Sequence, residues 1–259
     1  MPLIKYCLDD AGVATITLNR DDKRNAMNRE MAGSILAQLD KASASGARVV
    51  VLRANAGVDV WCAGHDLSEL EMDKLPEQNP TLAVADKIQA VPFPVIAMVE
   101  GRVFGGGMLL LLYADLVVAA ENADVAITSN KIGIPLSPEL HAFWLRVMGI
   151  HKAKELLFTA DTIPAQDAYH AGLYNHVVKK QQLEEFVTEL AARIVRCAPA
   201  AIAGTKRQLN LLARQSGLSD LEHGELLRAN AAISGSDETK ARIAALFHKL
   251  GENAAENES

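Results

Sequence analysis

Val95-Ile-Ala-Met-Val-Glu-Gly-Arg-Val-Phe-Gly-Gly-Gly-Met-Leu-Leu-Leu-Leu-Tyr-Ala114 decides how this chain folds. Val95 to Val99 reads as a buried strand, and Met108 to Ala114 as the start of a buried helix. Gly101 to Gly107 between them reads as a turn that delivers free backbone N–H groups at the helix start. Glycine lets such a backbone approach a ligand closely, and the unpaired amides and dipole of a helix N-terminus favour developing negative charge. That is half of an oxyanion hole. A second glycine-bearing loop, Trp61-Cys-Ala-Gly-His-Asp-Leu67, supplies the other half if the fold turns its amides towards Gly106 and Gly107. Triple glycine is also a common tight turn. The two loops in this order, about 40 residues apart, are more specific than either alone.

Outward from that stretch, Leu3 to Leu8 and Val13 to Leu18 alternate and branch like strands, joined as a hairpin by Asp9-Asp10-Ala11-Gly12. From Asn28, a helix cap, Met31, Ile35, Leu36 and Leu39 recur at helical spacing, and Arg48 to Leu52 returns as a strand. The same alternation repeats through Val95 to Val99, the helix after Gly107, and Asp115 to Ala120. This predicts an α/β fold with a largely parallel sheet built by crossovers and covered by helices. Beyond Pro138 the spacing predicts helices over Glu139–Met148, His151–Phe158, Pro164–Ala171, Leu183–Arg196, Pro199–Leu212 and Leu221–Ile233, with a strand only at Asn175–Val178. Residues 68–82, rich in Glu, Asp, Lys and Pro, read as a solvated connector or a lid beside the proposed site. Asn253 to Ser259 reads as frayed.

The length of 259 residues suits one compact domain with a helical tail. A net charge of −6 speaks against a nucleic-acid partner, and no basic run exceeds Lys179-Lys180 or Lys206-Arg207. Three cysteines, Cys7, Cys62 and Cys197, lack metal or redox spacing and suit a reducing compartment. The N-terminus has no secretory pattern, and the longest apolar run falls short of the ~20 residues of a membrane span. These features lead to the expectation of a cytoplasmic protein without a membrane partner. His151, His170 and His176 lack ligand spacing, so no metal is expected.

Five motifs resemble the crotonase, or enoyl-CoA hydratase/isomerase, superfamily, and the match spans nearly the whole chain. They are Lys23-Arg-Asn-Ala-Met-Asn28, Trp61 to Leu67, Pro94 to Gly107 and Ala114-Asp-Leu116, then Ala165-Gln-Asp-Ala168 followed by Gly172 to Val178. The resemblance implies a crotonase fold: a repeated ββα superhelix over residues 1–198, and a helical C-terminal region over 199–259 that mediates assembly as a homotrimer or dimer of trimers. It implies an acyl thioester of coenzyme A or of an acyl carrier protein as ligand. No separate cofactor is implied, the coenzyme A or phosphopantetheine being part of the substrate. By the same resemblance the oxyanion hole falls on the N–H groups of His65 and Gly106. The coenzyme lies along Lys23, Arg24, Ala26, Ala63, Asp66 and Leu67, although Asp66 also reads as a turn or cap residue.

The chain departs from the hydratases of this family, whose two glutamates align with Leu109 and Ser129. Hydration needs one group to deprotonate water and another to protonate carbon, and leucine does neither. Decarboxylation of a malonyl-type or glutaconyl-type thioester needs only the oxyanion hole, because loss of carbon dioxide itself makes the enolate. Leu109 and Leu136 would give the departing carboxylate an apolar wall, and Thr128 or Ser129 would orient it, with water as the proton source. His65, Thr128 and the stretches Lys154–Ala160 and Asn175–Val178 look like the methylmalonyl-CoA decarboxylase branch. That branch, however, carries Glu at the position of Leu109 and Tyr at that of Leu136. Decarboxylases of polyketide β-branching, which act on carrier-bound substrates, are similar around Gly105–Asp115. Two alternatives stand beside this reading. One is a Δ3,Δ2-enoyl-CoA isomerase with Glu139 as base, where Glu139 otherwise reads as a first-turn helix carboxylate. The other is a thioester-binding protein without catalysis.

Overall fold

A computed structural model describes residues 2–69, 79–213 and 219–257. Strands β1 (Ile4–Leu8) and β2 (Val13–Leu18) form the expected antiparallel hairpin. Helix α1 (Arg29–Ala44) follows, capped by the Asn28 side chain, which accepts from the Met31 N–H at 2.9 Å. Next come β3 (Val49–Ala54) and β4 (Val60–Cys62), then α2 (Pro80–Ala90), β5 (Val95–Val99), β6 (Arg102–Phe104), α3 (Gly107–Tyr113), β7 (Leu116–Ala120) and β8 (Val125–Ala126). The rest is helical apart from β9 (His176–Val178): α4 (Pro138–Thr159), α5 (Ala165–His170), α6 (Leu183–Val195), α7 (Pro199–Ala213), α8 (Asp220–Ser234) and α9 (Asp237–Asn257).

The strands form a six-stranded sheet in the order β1-β2-β3-β5-β7-β9, parallel from β2 onward, and a small parallel sheet β4-β6-β8. The near-continuous apolar character of β3, β5 and β7 follows from burial of both faces. Val50, Leu52, Val95, Ala97, Val99, Val117 and Ala119 pack in the main core, which includes residues of α1, α2 and α3. The alternate residues Val49, Val51, Ile96, Met98, Val118 and Ala120 pack with Leu183, Val187 and Ala191 of α6. The period of two along each strand thus serves two cores.

Three expectations need correction, and one division is met. Residues 101–107 are not one turn. Gly101, at φ +85, ends the β5 turn, and Arg102–Phe104 is a strand of the second sheet, which leaves Gly105 and Gly106 as the real bend. The connector 68–82 is shorter than expected. Asn79 caps α2 by accepting from the Thr81 and Leu82 N–H groups, with Pro80 at the first helical position, an Asn-Pro start signal that the charged surroundings masked. Residues 70–78 of that connector lie outside the described residues. The two helices expected over 139–158 are present within α4, divided where expected by the non-helical Gly149, φ 71 and ψ 166. Finally, α9 runs to Asn257 where fraying was expected; Glu258 and Ser259 are outside the described residues.

Candidate active site

The loop 61–67 is stitched to the turn 20–27. Met27 and His65 form a parallel bridge: the Met27 N–H donates to Gly64 O at 2.6 Å, and the Asp66 N–H to Met27 O at 2.9 Å. Successive amides of an extended segment point to opposite sides, so the His65 N–H faces away from Met27. It faces the glycine bend. A Cβ placed on Gly106 would stand 3.2 Å from the His65 nitrogen, and one on Gly64 would stand 2.6 Å from the Gly106 nitrogen and 2.8 Å from Phe104 O. Side chains at either position would separate the two loops, and Gly64 also holds φ +91, which L residues rarely adopt. Among the described residues, the amides of His65 and Gly106 are thereby brought against each other across two backbones. Gly106 precedes α3, so its N–H has no carbonyl one turn back to bond. Helix α3 has only seven residues, so the two amides rather than a macrodipole carry the electrostatic argument.

The predicted coenzyme residues come together around the same stitching. The Ala63 N–H donates to Arg24 O at 3.0 Å, and Arg20 Nη1 donates to Ala26 O at 2.8 Å and to Asp66 Oδ2 at 2.6 Å. Lys23 and Arg24 are exposed, Arg24 and Asn25 both at φ 52, while Ala26, Ala63, Asp66 and Leu67 are partly buried. Burial pushes the Asp66 carboxyl up, but bonds from Ser68 and the Arg20 guanidinium outweigh this and hold it below its ordinary range. Its side chain is committed to fastening the loop. The stabilisation from a depressed carboxyl is present above the unfolded value and is lost as pH falls through the folded one. Asp66→Asn is therefore expected to lower stability by about 2 kcal/mol at pH 7. The gap from the parent should close below about pH 4 in urea titrations; a gap that persists there would contradict the charge-based account.

His65 is partly buried, and burial, outweighing the nearby Glu69 and Asp66, lowers its imidazole from the ordinary value, so the ring is neutral at pH 7. Cys62 lies beneath the loop, donating through Sγ to Asn25 O at 3.3 Å; burial pushes its thiol up to about 11, which keeps it unreactive.

The expected acyl-pocket residues lie on two segments. Leu109, 5% exposed, sits in the first turn of α3, its N–H donating to Gly106 O. Thr128 and Ser129 leave β8 beside the bend, because the Gly105 N–H donates to Ala126 O at 3.0 Å. The Ser129 hydroxyl is buried without a hydrogen-bond partner. Leu136 packs against the main core, and its carbonyl accepts from Asn230 Nδ2 at 2.8 Å. Further contacts to this loop come from α9: Thr239 Oγ1 donates to Gly133 O and Arg242 Nη1 to Lys131 O. Glu139 is exposed in the first turn of α4 and pairs with His223 Nε2 of α8. Burial pushes its carboxyl up, but Ser137, its own amide and His223 hold it below the usual range. Sequence reasoning missed this partner and the docking of α8 and α9 on residues 131–139. Tyr113, expected in the core, is 6% exposed and stacks on Phe143 at 4.8 Å; His141 is exposed.

The profile of the enoyl-CoA hydratase/isomerase family matches residues 9–238. The chain belongs to this family. Among its relatives, the methylmalonyl-CoA decarboxylase of Escherichia coli (strain K12) is 32% identical over 244 residues, 93% of this chain and 94% of the relative. A solved methylmalonyl-CoA decarboxylase in complex with 2-nitronate-propionyl-CoA matches 95% of this chain and 96% of its own at 31% identity, with a TM-score of 0.91. Another, complexed with 2S-carboxypropyl CoA, matches 96% of each chain at 30% identity, with a TM-score of 0.92. The crotonase fold and family expected from the five motifs are therefore those of this chain. In described residues of this crotonase, no helix is long and apolar enough to cross a membrane.

Proposed function

We propose that the protein decarboxylates an acyl thioester of coenzyme A carrying a carboxylate on its acyl group, of malonyl or glutaconyl type. The supporting observation is the close approach of the loops that carry the His65 and Gly106 amides, next to an apolar residue, Leu109, in the first turn of α3. The relatives named for methylmalonyl-CoA decarboxylation support the same reading. In the proposed step the bond between the acyl chain and its carboxylate breaks and carbon dioxide leaves. The bonding electron pair passes to the thioester as an enolate, whose oxygen accepts from both amides. A proton from water then returns to carbon. Thr128 and the unpartnered Ser129 hydroxyl would orient the carboxylate before it leaves, against the apolar surfaces of Leu109 and Leu136. Lys23 and Arg24, exposed at the edge of the stitched loops, would meet the coenzyme phosphates. A carrier-protein thioester would use the same two amides.

We place the protein in the cytoplasm as a homotrimer or dimer of trimers, with residues 199–259 as the assembly region. Exposed Leu209, Leu211 and Leu212 on α7 and Leu221, Leu226 and Leu227 on α8 support such a contact.

The test is mass spectrometry of purified protein with methylmalonyl-CoA, malonyl-CoA, 3-methylglutaconyl-CoA and a 3-enoyl-CoA. Loss of carbon dioxide from one of the first three is expected. Glu139, whose carboxylate is already engaged by His223, should be dispensable, so Glu139→Gln is expected to retain decarboxylation within about threefold. Turnover of the 3-enoyl-CoA without change of mass, abolished in Glu139→Gln, would establish the isomerase instead. Binding of all four without turnover would establish a non-catalytic protein.

A further inference from the structure

Thr81 lies in the first turn of α2 and is fully buried at 0% exposure, yet its hydroxyl has no hydrogen-bond partner. Its backbone needs nothing from that oxygen, since the Thr81 N–H is already capped by Asn79 Oδ1 at 3.0 Å. A buried hydroxyl without a partner is destabilising, and valine would fill the same volume without that cost. The position of the oxygen matters. A Cβ on Gly106 would stand 3.4 Å from Thr81 Oγ1 and 3.2 Å from the His65 nitrogen. The orphan hydroxyl and one oxyanion donor therefore flank the same point beside Gly106. The first turn of an 11-residue helix adds positive potential there.

We propose that Thr81 is a third hydrogen-bond donor of the site, its hydroxyl turning to the thioester oxygen once an acyl-CoA enolate occupies the two amides. This rests on the oxyanion reading above and extends it: the oxygen is held by two amides and a side chain, from three separate segments of the chain. Because the hydroxyl rotates freely about Cβ–Oγ, its contribution grows as charge develops on the oxygen, and it favours the enolate over the ground-state thioester.

The experiment compares binding of 2-nitronate-propionyl-CoA, a stable enolate mimic, with binding of propionyl-CoA by isothermal calorimetry. It uses the parent, Thr81→Val and Thr81→Ser, each checked by thermal melting. The parent is expected to prefer the nitronate. Thr81→Val should lose about tenfold of that preference, with little change in propionyl-CoA affinity, and Thr81→Ser should keep it. Thr81→Val with an unchanged preference would overturn the role of the hydroxyl while leaving the amides in place. An equal loss for both ligands, not restored by serine, would make Thr81 a packing residue and overturn it likewise. A parent without preference for the nitronate would overturn the oxyanion reading itself, and this inference with it.

Discussion

Gly106→Pro is expected to lower kcat by at least about a hundredfold while the protein remains folded. The residue stands at φ −61, the value that a proline ring imposes, so the substitution removes the N–H without forcing that dihedral. The residue before it, Gly105 at φ +50, is itself glycine and has the freedom to adapt. What disappears is one of the two donors proposed to face the developing enolate. Gly106→Ala is the control, because it keeps the donor. Its methyl would lie 3.2 Å from the His65 nitrogen and 3.4 Å from Thr81 Oγ1. That is a tight fit which should widen the gap between the loops by a few tenths of an ångström and cost less activity than proline. Steady-state kinetics on both variants, with circular dichroism melts, makes the comparison. A proline variant that folds and turns over at the parent rate would remove the Gly106 amide from the mechanism.

The second large effect is on stability. Lys206 of α7 is 7% exposed, and its ammonium donates to Ile88 O at 2.7 Å, Phe93 O at 2.9 Å and Asp115 Oδ2 at 2.6 Å. The same Asp115 oxygen accepts from the Val95 N–H at 2.7 Å. Burial lowers the Lys206 ammonium from its ordinary value and raises the Asp115 carboxyl, each opposed by the other's charge. Lys206→Met leaves that carboxylate without its cation and two carbonyls without a donor, and is expected to cost about 3–5 kcal/mol. In a chain of this size that is a fall in melting temperature on the order of 10 °C. Adding Asp115→Asn should recover part of it, since the neutral amide still accepts from Val95 and carries no stranded charge. A single-variant melt within about 2 °C of the parent would show the pair to be dispensable.

The repeated strand–helix–strand order could be read from the chain because β3, β5 and β7 are apolar on both faces and α1 carries its own cap. The small sheet β4-β6-β8 could not. Its strands are two or three residues long, too short for a period of two to register, and Arg102–Phe104 sits between glycines that advertise a turn. Helix α2 was hidden for a related reason: its Asn-Pro start follows a charged stretch, and Thr81 gives no apolar signal despite being buried. At the site, Gly64, His65 and Gly106 stood out because glycine marks close backbone approach. The partners that complete it did not, because Arg20, Thr81, His223 and Asn230 are ordinary polar residues whose meaning comes from long-range contact. Asp66 shows the limit of reasoning from type: nothing in its type announces that a carboxylate in the expected coenzyme set also fastens the loop to Arg20.

Helices α8 and α9 hold residues 131–139 through Asn230, Thr239, Arg242 and His223, some 84 to 111 positions further along the chain. The wall proposed to meet the acyl group is thus shaped from outside, whereas the two amides belong to the inner sheet and its loops. On the proposed function, selectivity and chemistry have separate mechanical supports. Adjusting the outer helices alone offers a way to retune which acyl chain is admitted, with the bond-breaking apparatus left as it is.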